Sequence, residues 1–239
     1  MYCKKICFNI ILLFLGNVPL FAAQINIPQN INTVIHAANA TPAEKHAAVE
    51  LADHLKEVCG KEIAVLPENR ATPGTKAIYV GKTGFAAANG INFDKFSAEE
   101  WLIRNQADNI IIAGGRPRGT LYGIYEFLER FAGVAWLDEH FTDFARRGDV
   151  VLPETIDLRG KPFFRYRGQY TWHGHDQTKR FLFRSRNREN IFFQEKLEPG
   201  PHGKETGTYS GSRQSFPAEY AVLLHQGMAG KGLRGRLFP

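Results

Sequence analysis

Cysteine is nearly missing from this 239-residue chain: there are three, and two of them, Cys3 and Cys7, stand within a short N-terminal leader. If that leader is removed Cys59 alone is left, and a single thiol excludes an intrachain disulfide framework. Long apolar runs are missing too. The stretch from Ile6 to Leu15 falls well short of the ~20 residues that a helix needs to cross a bilayer. A strong charge excess is also absent, since the formal net charge of +6 is spread along the chain and forms no nucleic-acid signature by itself. The glycines give neither phosphate-binding fingerprint. Gly114, Gly115 and Gly119 are spaced GGxxxG, which matches neither GxGxxG nor GxxxxGK[ST], and Pro117 removes one N–H donor that an anion loop would need. The turn reads as a packing turn, and no cofactor is expected.

What the leader does contain is Lys4 and Lys5, the apolar run, and Phe21-Ala22-Ala23 ahead of polar sequence. That is the layout of a secretory signal peptide, 1–23, cut after Ala22 or Ala23. No cysteine stands at the cut to carry a lipid. Secretion or release into a periplasm is the expectation, with no membrane association afterwards. Loss of the two lysines brings the formal charge from +6 to about +4.

The remaining chain is organised around Asn109 to Asp138. Ile110, Ile111 and Ile112 read as a strand buried on both faces and stopped by Gly114-Gly115. A helix is predicted to follow at once, with Pro117 as its first residue. Leu121, Ile124, Tyr125, Leu128 and Phe131 recur at helical steps on its apolar face. Gly119 and Gly123 allow close approach to a neighbour, Gly133 ends the helix, and Val134 to Leu137 is the next strand.

Upstream, Ile31 to Ala37 reads as a first strand. Thr41-Pro42-Ala43-Glu44 has the form of a capping box. The helix it opens runs to Gly60, with Ala47, Ala48, Leu51, Leu55 and Val58 inward and Glu50, Asp53, Lys56 and Glu57 outward. His46 and His54 are placed on the solvated side, and Cys59 is read as a small buried hydrophobe. Glu62 to Leu66, Ala77 to Val80 and Glu100 to Asn105 are further strands, the last leading through a hairpin turn into the central strand. Asp149 to Leu152 and Ile156 to Leu158 read as closing strands or a linker. The fold class is α+β, a mixed sheet with helices packed mainly against one face, spanning 24–160.

The segments AAVELADHLKEVCG, AIYVGKTG and IIIAGGRPRGTLYGIYEFLERFAGVAWL resemble the non-catalytic N-terminal domain of α-glucuronidases and of family 20 β-N-acetylhexosaminidases. The resemblance covers about residues 28 to 190 and implies an α+β sandwich followed by a catalytic (β/α)₈ barrel. Pro162-Phe163-Phe164-Arg165-Tyr166-Arg167-Gly168 is similar to the family's PRFxxRG opening of that barrel, with Phe163 in place of the first arginine. On that resemblance Arg167 falls on the arginine that holds sugar hydroxyls, a role suited to a planar donor fork. The alternative is an Arg167 paired with a nearby carboxylate or exposed on a linker.

Trp172 and Tyr170, at a barrel mouth, could stack on a sugar face or pack in a core. His173 and His175 are spaced as two metal ligands, but no third ligand with recognisable spacing joins them, so no metal is expected. The basic and aromatic run from Lys179 to Arg188 fits an outer helix or exposed edge of a barrel better than a nucleic-acid surface. Hydrolysis of a glycoside needs two carboxyl groups flanking the bond. Asp176, Glu189, Glu195, Glu198, Glu205 and Glu219 fall in no motif of that kind, and no residue is assigned a catalytic role. Residues 161–199 read as the start of a (β/α)₈ barrel, and 200–239 as an irregular tail, disordered or frame-shifted. The expected function is that of a non-catalytic N-terminal domain and barrel start from a secreted glycoside hydrolase of polysaccharide degradation, inactive as this chain, whose partner is carbohydrate. The alternative is a stand-alone secreted module binding carbohydrate or protein.

Overall fold

The computed structural model describes residues 24–164, 167 and 177–190. The leader 1–23, the cluster from Tyr170 to Asp176 with Trp172, His173 and His175, and the 200–239 tail lie outside those residues.

In chain order the elements are β1 (Asn26–Ile27), β2 (Thr33–His36), α1 (Pro42–Cys59), β3 (Ala64–Pro67), β4 (Ile78–Val80), α2 (Gly84–Ala88), β5 (Trp101–Gln106), β6 (Asn109–Gly114), α3 (Gly119–Phe127), β7 (Val134–Trp136), β8 (Thr142–Phe144), β9 (Val150–Val151), β10 (Asp157–Gly160) and α4 (Gln177–Arg186). The main sheet runs β10-β5-β6-β4-β2-β3. Its β3, β2, β4 and β6 strands are parallel, whereas β5 and β10 add antiparallel beyond β6. The fold is therefore α+β with a mixed sheet. β6 holds the central place because its three isoleucines are wholly buried, and only an apolar run fits a strand covered on both faces.

Two layers cover that sheet. Val34, Ile78, Val80, Ile103, Ile110 and Ile112 meet α1 and α3 in the principal core. On the reverse face Leu102, Ile111 and Ala113 pack beneath Ala86, Ile91, Phe93 and Phe96, while Tyr79 stacks on Phe85 with ring centroids 4.0 Å apart. The long helices lie on one face, as the sequence pattern required. The reverse face is closed by the short α2 and a 3₁₀ turn at Phe93–Lys95.

The capping box forms as read: the Glu44 N–H donates to Thr41 Oγ1 at 3.2 Å, and the Thr41 N–H donates to Glu44 Oε2 at 2.9 Å. Gly60 ends α1 in the left-handed conformation at φ 68°, which a residue without Cβ adopts freely. Thr41→Ala is expected to lower stability by roughly 0.5–2 kcal/mol through loss of this cap. Denaturant melts check it, with Thr41→Ser nearly restoring the midpoint.

Two readings need correction. Pro117 is not the first helical residue: the Arg116–Pro117 peptide is cis and α3 starts at Gly119. The reason is the loop before β5, whose Ala98 carbonyl accepts both the Arg118 and Gly119 N–H groups and so fixes the chain outside helical geometry until Gly119. His54 is not solvated. It is buried together with Glu50, because β7 and α4 cover that side of α1, and His46 is half-buried, with burial depressing its imidazole.

Candidate functional site

Among the described residues, three ion-pair junctions join the segment from residue 161 onward to the sheet and its helices. At the first, Arg167 lies in a nest of acceptors. Its Nε donates to the Arg188 carbonyl at 2.7 Å, its Nη1 to the Phe164 carbonyl, and its Nη2 to Glu99 Oε2 at 3.0 Å and Tyr122 Oη at 3.3 Å. Asn190 closes the ring: its Nδ2 donates to Glu99 Oε1 at 3.0 Å, and its Oδ1 accepts the Arg167 N–H at 2.9 Å. Arg118, buried at the start of α3, stands 3.8 Å from Glu99 Oε1. Two guanidinium groups thus face one carboxylate in a setting only 11% exposed. Tyr122 reaches the same nest from α3, and burial pushes its phenol up to about 12, against the opposing pull of Arg118 and Arg167. It stays a neutral hydrogen-bonding hydroxyl at any ordinary pH.

The second junction pairs α4 with α1. Arg186 grips Glu50 with both arms, Nε to Oε2 at 2.8 Å and Nη2 to Oε1 at 3.0 Å. Burial pushes the Glu50 carboxyl up, but the bond and charge of Arg186 outweigh it and hold the group below its usual range. At the third, Arg188 Nη2 bridges Glu126 at 3.1 Å and Glu129 at 2.6 Å. At Glu50 the rigid fork of arginine matches the carboxylate with two parallel bonds.

Beside the first junction lies an open cavity of about 280 Å³ between Ser97, Glu99, Lys161, Phe163 and Phe164. The Phe163 ring is 93% exposed, and it meets Phe164 edge to face at 5.1 Å.

Of the residues singled out in the sequence, Arg167 is placed against a carboxylate, Glu99. Trp172 lies outside the described residues. Glu189 is buried beside Arg184, whose Nε lies 3.6 Å from its Oε2. Among the described residues no group of three metal-ligating side chains comes together. The GGxxxG turn is a packing turn: the Gly115 N–H goes to the Glu100 carbonyl at 2.9 Å and the Gly119 N–H to Gly115 and Ala98, so these donors are used within the protein. Cys59 is inert, its thiol pushed up by burial and directed at the Ile27 carbonyl. Glu99, Tyr122 and Asn190 were not visible as partners in the sequence. Tyr122 sits between Leu121 and Gly123 in an apolar helix, and no spacing links Glu99 to a residue 68 positions away.

Residues 20–127 match the family model described as the glycosyl hydrolase family 67 N-terminus. Alpha-glucuronidase A of Emericella nidulans is 31% identical over 109 residues, which is 44% of this chain and 13% of that protein. Among solved structures, a family GH115 4-O-methyl-alpha-glucuronidase with specificity for decorated arabinogalactans aligns at TM-score 0.51 and 18% identity, over 67% of this chain and 24% of that one. A mutant Streptomyces plicatus beta-hexosaminidase in complex with its product GlcNAc aligns at TM-score 0.45 and 16% identity, over 71% of this chain and 31% of that one. The chain spans less than a third of the length of each of these relatives.

Proposed function

Starting from an α+β region of the kind found at the N-terminus of glycoside hydrolases, we propose that it serves as the non-catalytic N-terminal domain of an exported carbohydrate-active enzyme. That enzyme is α-glucuronidase-like or hexosaminidase-like and degrades polysaccharide, and residues from 161 onward open its catalytic barrel. The observation that carries the reading is the Arg167 junction. A hydrolase works only if its barrel is held in one geometry, and here the segment that resembles the barrel opening is fastened to the domain through Glu99, Tyr122 and Asn190. The domain's own buried carboxylates support a structural role. Glu50 and Glu99 hold arginines, and two carboxylates so engaged do not flank a scissile bond.

In this reading Arg167 and Trp172 are the sugar-contacting residues of the intact enzyme, while within this chain the Arg167 guanidinium is taken up by the junction with Glu99, Tyr122 and two carbonyls. The purified chain is expected to show no turnover of aryl α-glucuronides or aryl β-N-acetylhexosaminides above a buffer blank. Weak sugar binding is expected, and Arg167→Ala should reduce it several-fold while loosening the junction. Turnover that disappears on changing Asp176, Glu189 or Glu195 would show a small hydrolase in its own right. The cavity beside Phe163 and Phe164, with its exposed rings, favours one other reading, a stand-alone binding module. Sequencing the DNA downstream in all three frames separates the two, since only the enzyme reading requires a barrel to be encoded there.

A further inference from the structure

We propose that His54 is the trigger of a pH-sensitive latch that fastens α4 to the α+β domain and lets it go when the imidazole takes a second proton. The latch works through Trp136, whose ring makes two contacts at once. At its edge the indole Nε1–H donates to His54 Nε2 at 3.0 Å. Over its face lies the guanidinium of Arg186, 5.8 Å from the ring centroid, and that same guanidinium clasps Glu50. Asn187, just past α4, donates to the Trp136 carbonyl at 3.5 Å. One aromatic side chain therefore couples a titratable group on α1 to the principal anchor of α4.

The protonation state of His54 follows from its partners. Indole is a donor only and a carbonyl an acceptor only. His54 Nε2 must accept, and Nδ1, which lies 2.7 Å from the Glu50 carbonyl, must carry the hydrogen. Both nitrogens of the neutral ring are used. A second proton has to go to Nε2, where it meets the indole N–H, and a hydrogen bond becomes a donor facing a donor. Trp136 then has to turn, and the surface under Arg186 moves with it.

The surroundings set the pH. Glu50, Asp53 and His46 face His54 from its own helix, Arg186 from α4, and the Phe144 ring from β8 at 6.3 Å. Tyr125 of α3 holds the far side of Trp136 at 5.2 Å. Burial depresses the imidazole most and Arg186 adds to it, while Glu50 and Asp53 oppose, with a net shift below 6.5. His46 is shifted the same way by burial. A cavity of about 180 Å³ lined by Asp53, His54, Lys56, Glu57 and Phe144 gives protons access. Because the pKa is lower attached than released, the contribution of His54 to attachment is full above about pH 6.5 and is lost as pH falls through the attached-state value. Within that window the released population rises about tenfold per pH unit for one linked proton. Glu50 stays ionised there, because its own pKa is held below the usual carboxylate range.

The test is hydrogen exchange of the full chain, read as protection factors for the amides of α4 against those of β6, from about pH 8 down to about pH 5. In the parent protein α4 protection should start to fall below about pH 6.5, by up to about tenfold per pH unit, and level off below the attached-state value, while β6 stays protected. His54→Gln keeps an acceptor near Trp136 but does not titrate, and should hold α4 protected throughout. Trp136→Phe keeps a ring but removes the N–H that opposes a second proton on Nε2, and should flatten the pH dependence of α4 protection. His46→Gln should leave the midpoint in place. The proposal fails if α4 and β6 lose protection together, if His54→Gln releases at the parent's midpoint, if Trp136→Phe leaves the pH dependence as steep as in the parent, or if His46→Gln abolishes the transition.

Discussion

Leu128→Ala is expected to lower the stability of the protein by roughly 2–5 kcal/mol, while Glu129→Ala, one residue on, should cost no more than about 1 kcal/mol. The contrast comes from where the end of α3 points the two side chains. Leu128 is fully buried in the core that α1, α3 and the sheet share. Its backbone N–H continues to bond Ile124 and Tyr125, and alanine keeps that bond, so the loss is one of packing: apolar area returned to water plus the cavity left behind. Glu129 has a 36% exposed side chain and meets Arg188 at 2.6 Å. Arg188 keeps Glu126 as a second partner at 3.1 Å, and solvent screens what is lost. Denaturant melts with unchanged m-values would report the two midpoints. Equal midpoints would mean that the wrong face of α3 has been taken as buried.

Local chemistry carried far into the fold. Thr41 with Glu44 marked the start of α1, Gly60 marked its end, Gly133 marked the end of the π-helical turn Leu128–Ala132 that continues α3, and the isoleucine run of β6 marked the centre of the sheet, because each is a short-range rule that tertiary contacts did not override. Where reading failed, a distant partner decided. Pro117 has a dihedral that suits a helix start, yet the carbonyl of Ala98 holds the chain otherwise. His54 and Glu50 occupy positions that helical periodicity assigns to solvent, and they are buried because Arg186, 136 residues away, supplies the charge that lets a carboxylate go inside. The two-residue strands β1 and β9, which pair with each other, are too short for any alternation to show. At the site the type of Arg167 was legible and its partners were not, since Glu99 and Asn190 carry no pattern of their own.

Gly119→Ala should be at least as damaging, at or above the upper end of the ~1–3 kcal/mol typical of overpacking, while Gly123→Ala should change stability by less than about 1 kcal/mol. Both glycines lie on the face of α3 toward the sheet, but they meet different things. A Cβ at Gly119 would fall on the Glu100 carbonyl oxygen, far inside contact distance, and 3.1 Å from the carbonyl carbon of Gly114. Those are main-chain atoms at the entry of β5 and the exit of β6. Neither can yield without breaking the ladder in which Trp101 pairs with Gly114, and the N–H groups of Gly115 and Gly119 tie the same loop. At Gly123 the neighbours are the Ile112 Cγ2 at 3.0 Å and the Trp101 Cβ at 3.2 Å, and a shift of a few tenths of an ångström in those side chains makes room. Replacing a helical glycine also gains ~1 kcal/mol of propensity, which offsets the crowding. Melts of the two variants beside the parent should therefore rank Gly119→Ala far below Gly123→Ala, with Gly123→Ala close to the parent. A Gly119→Ala protein as stable as the parent would show that the turn between β6 and α3 does not approach the β5 loop as closely as the fold requires, and the packing account of GGxxxG would have to be given up.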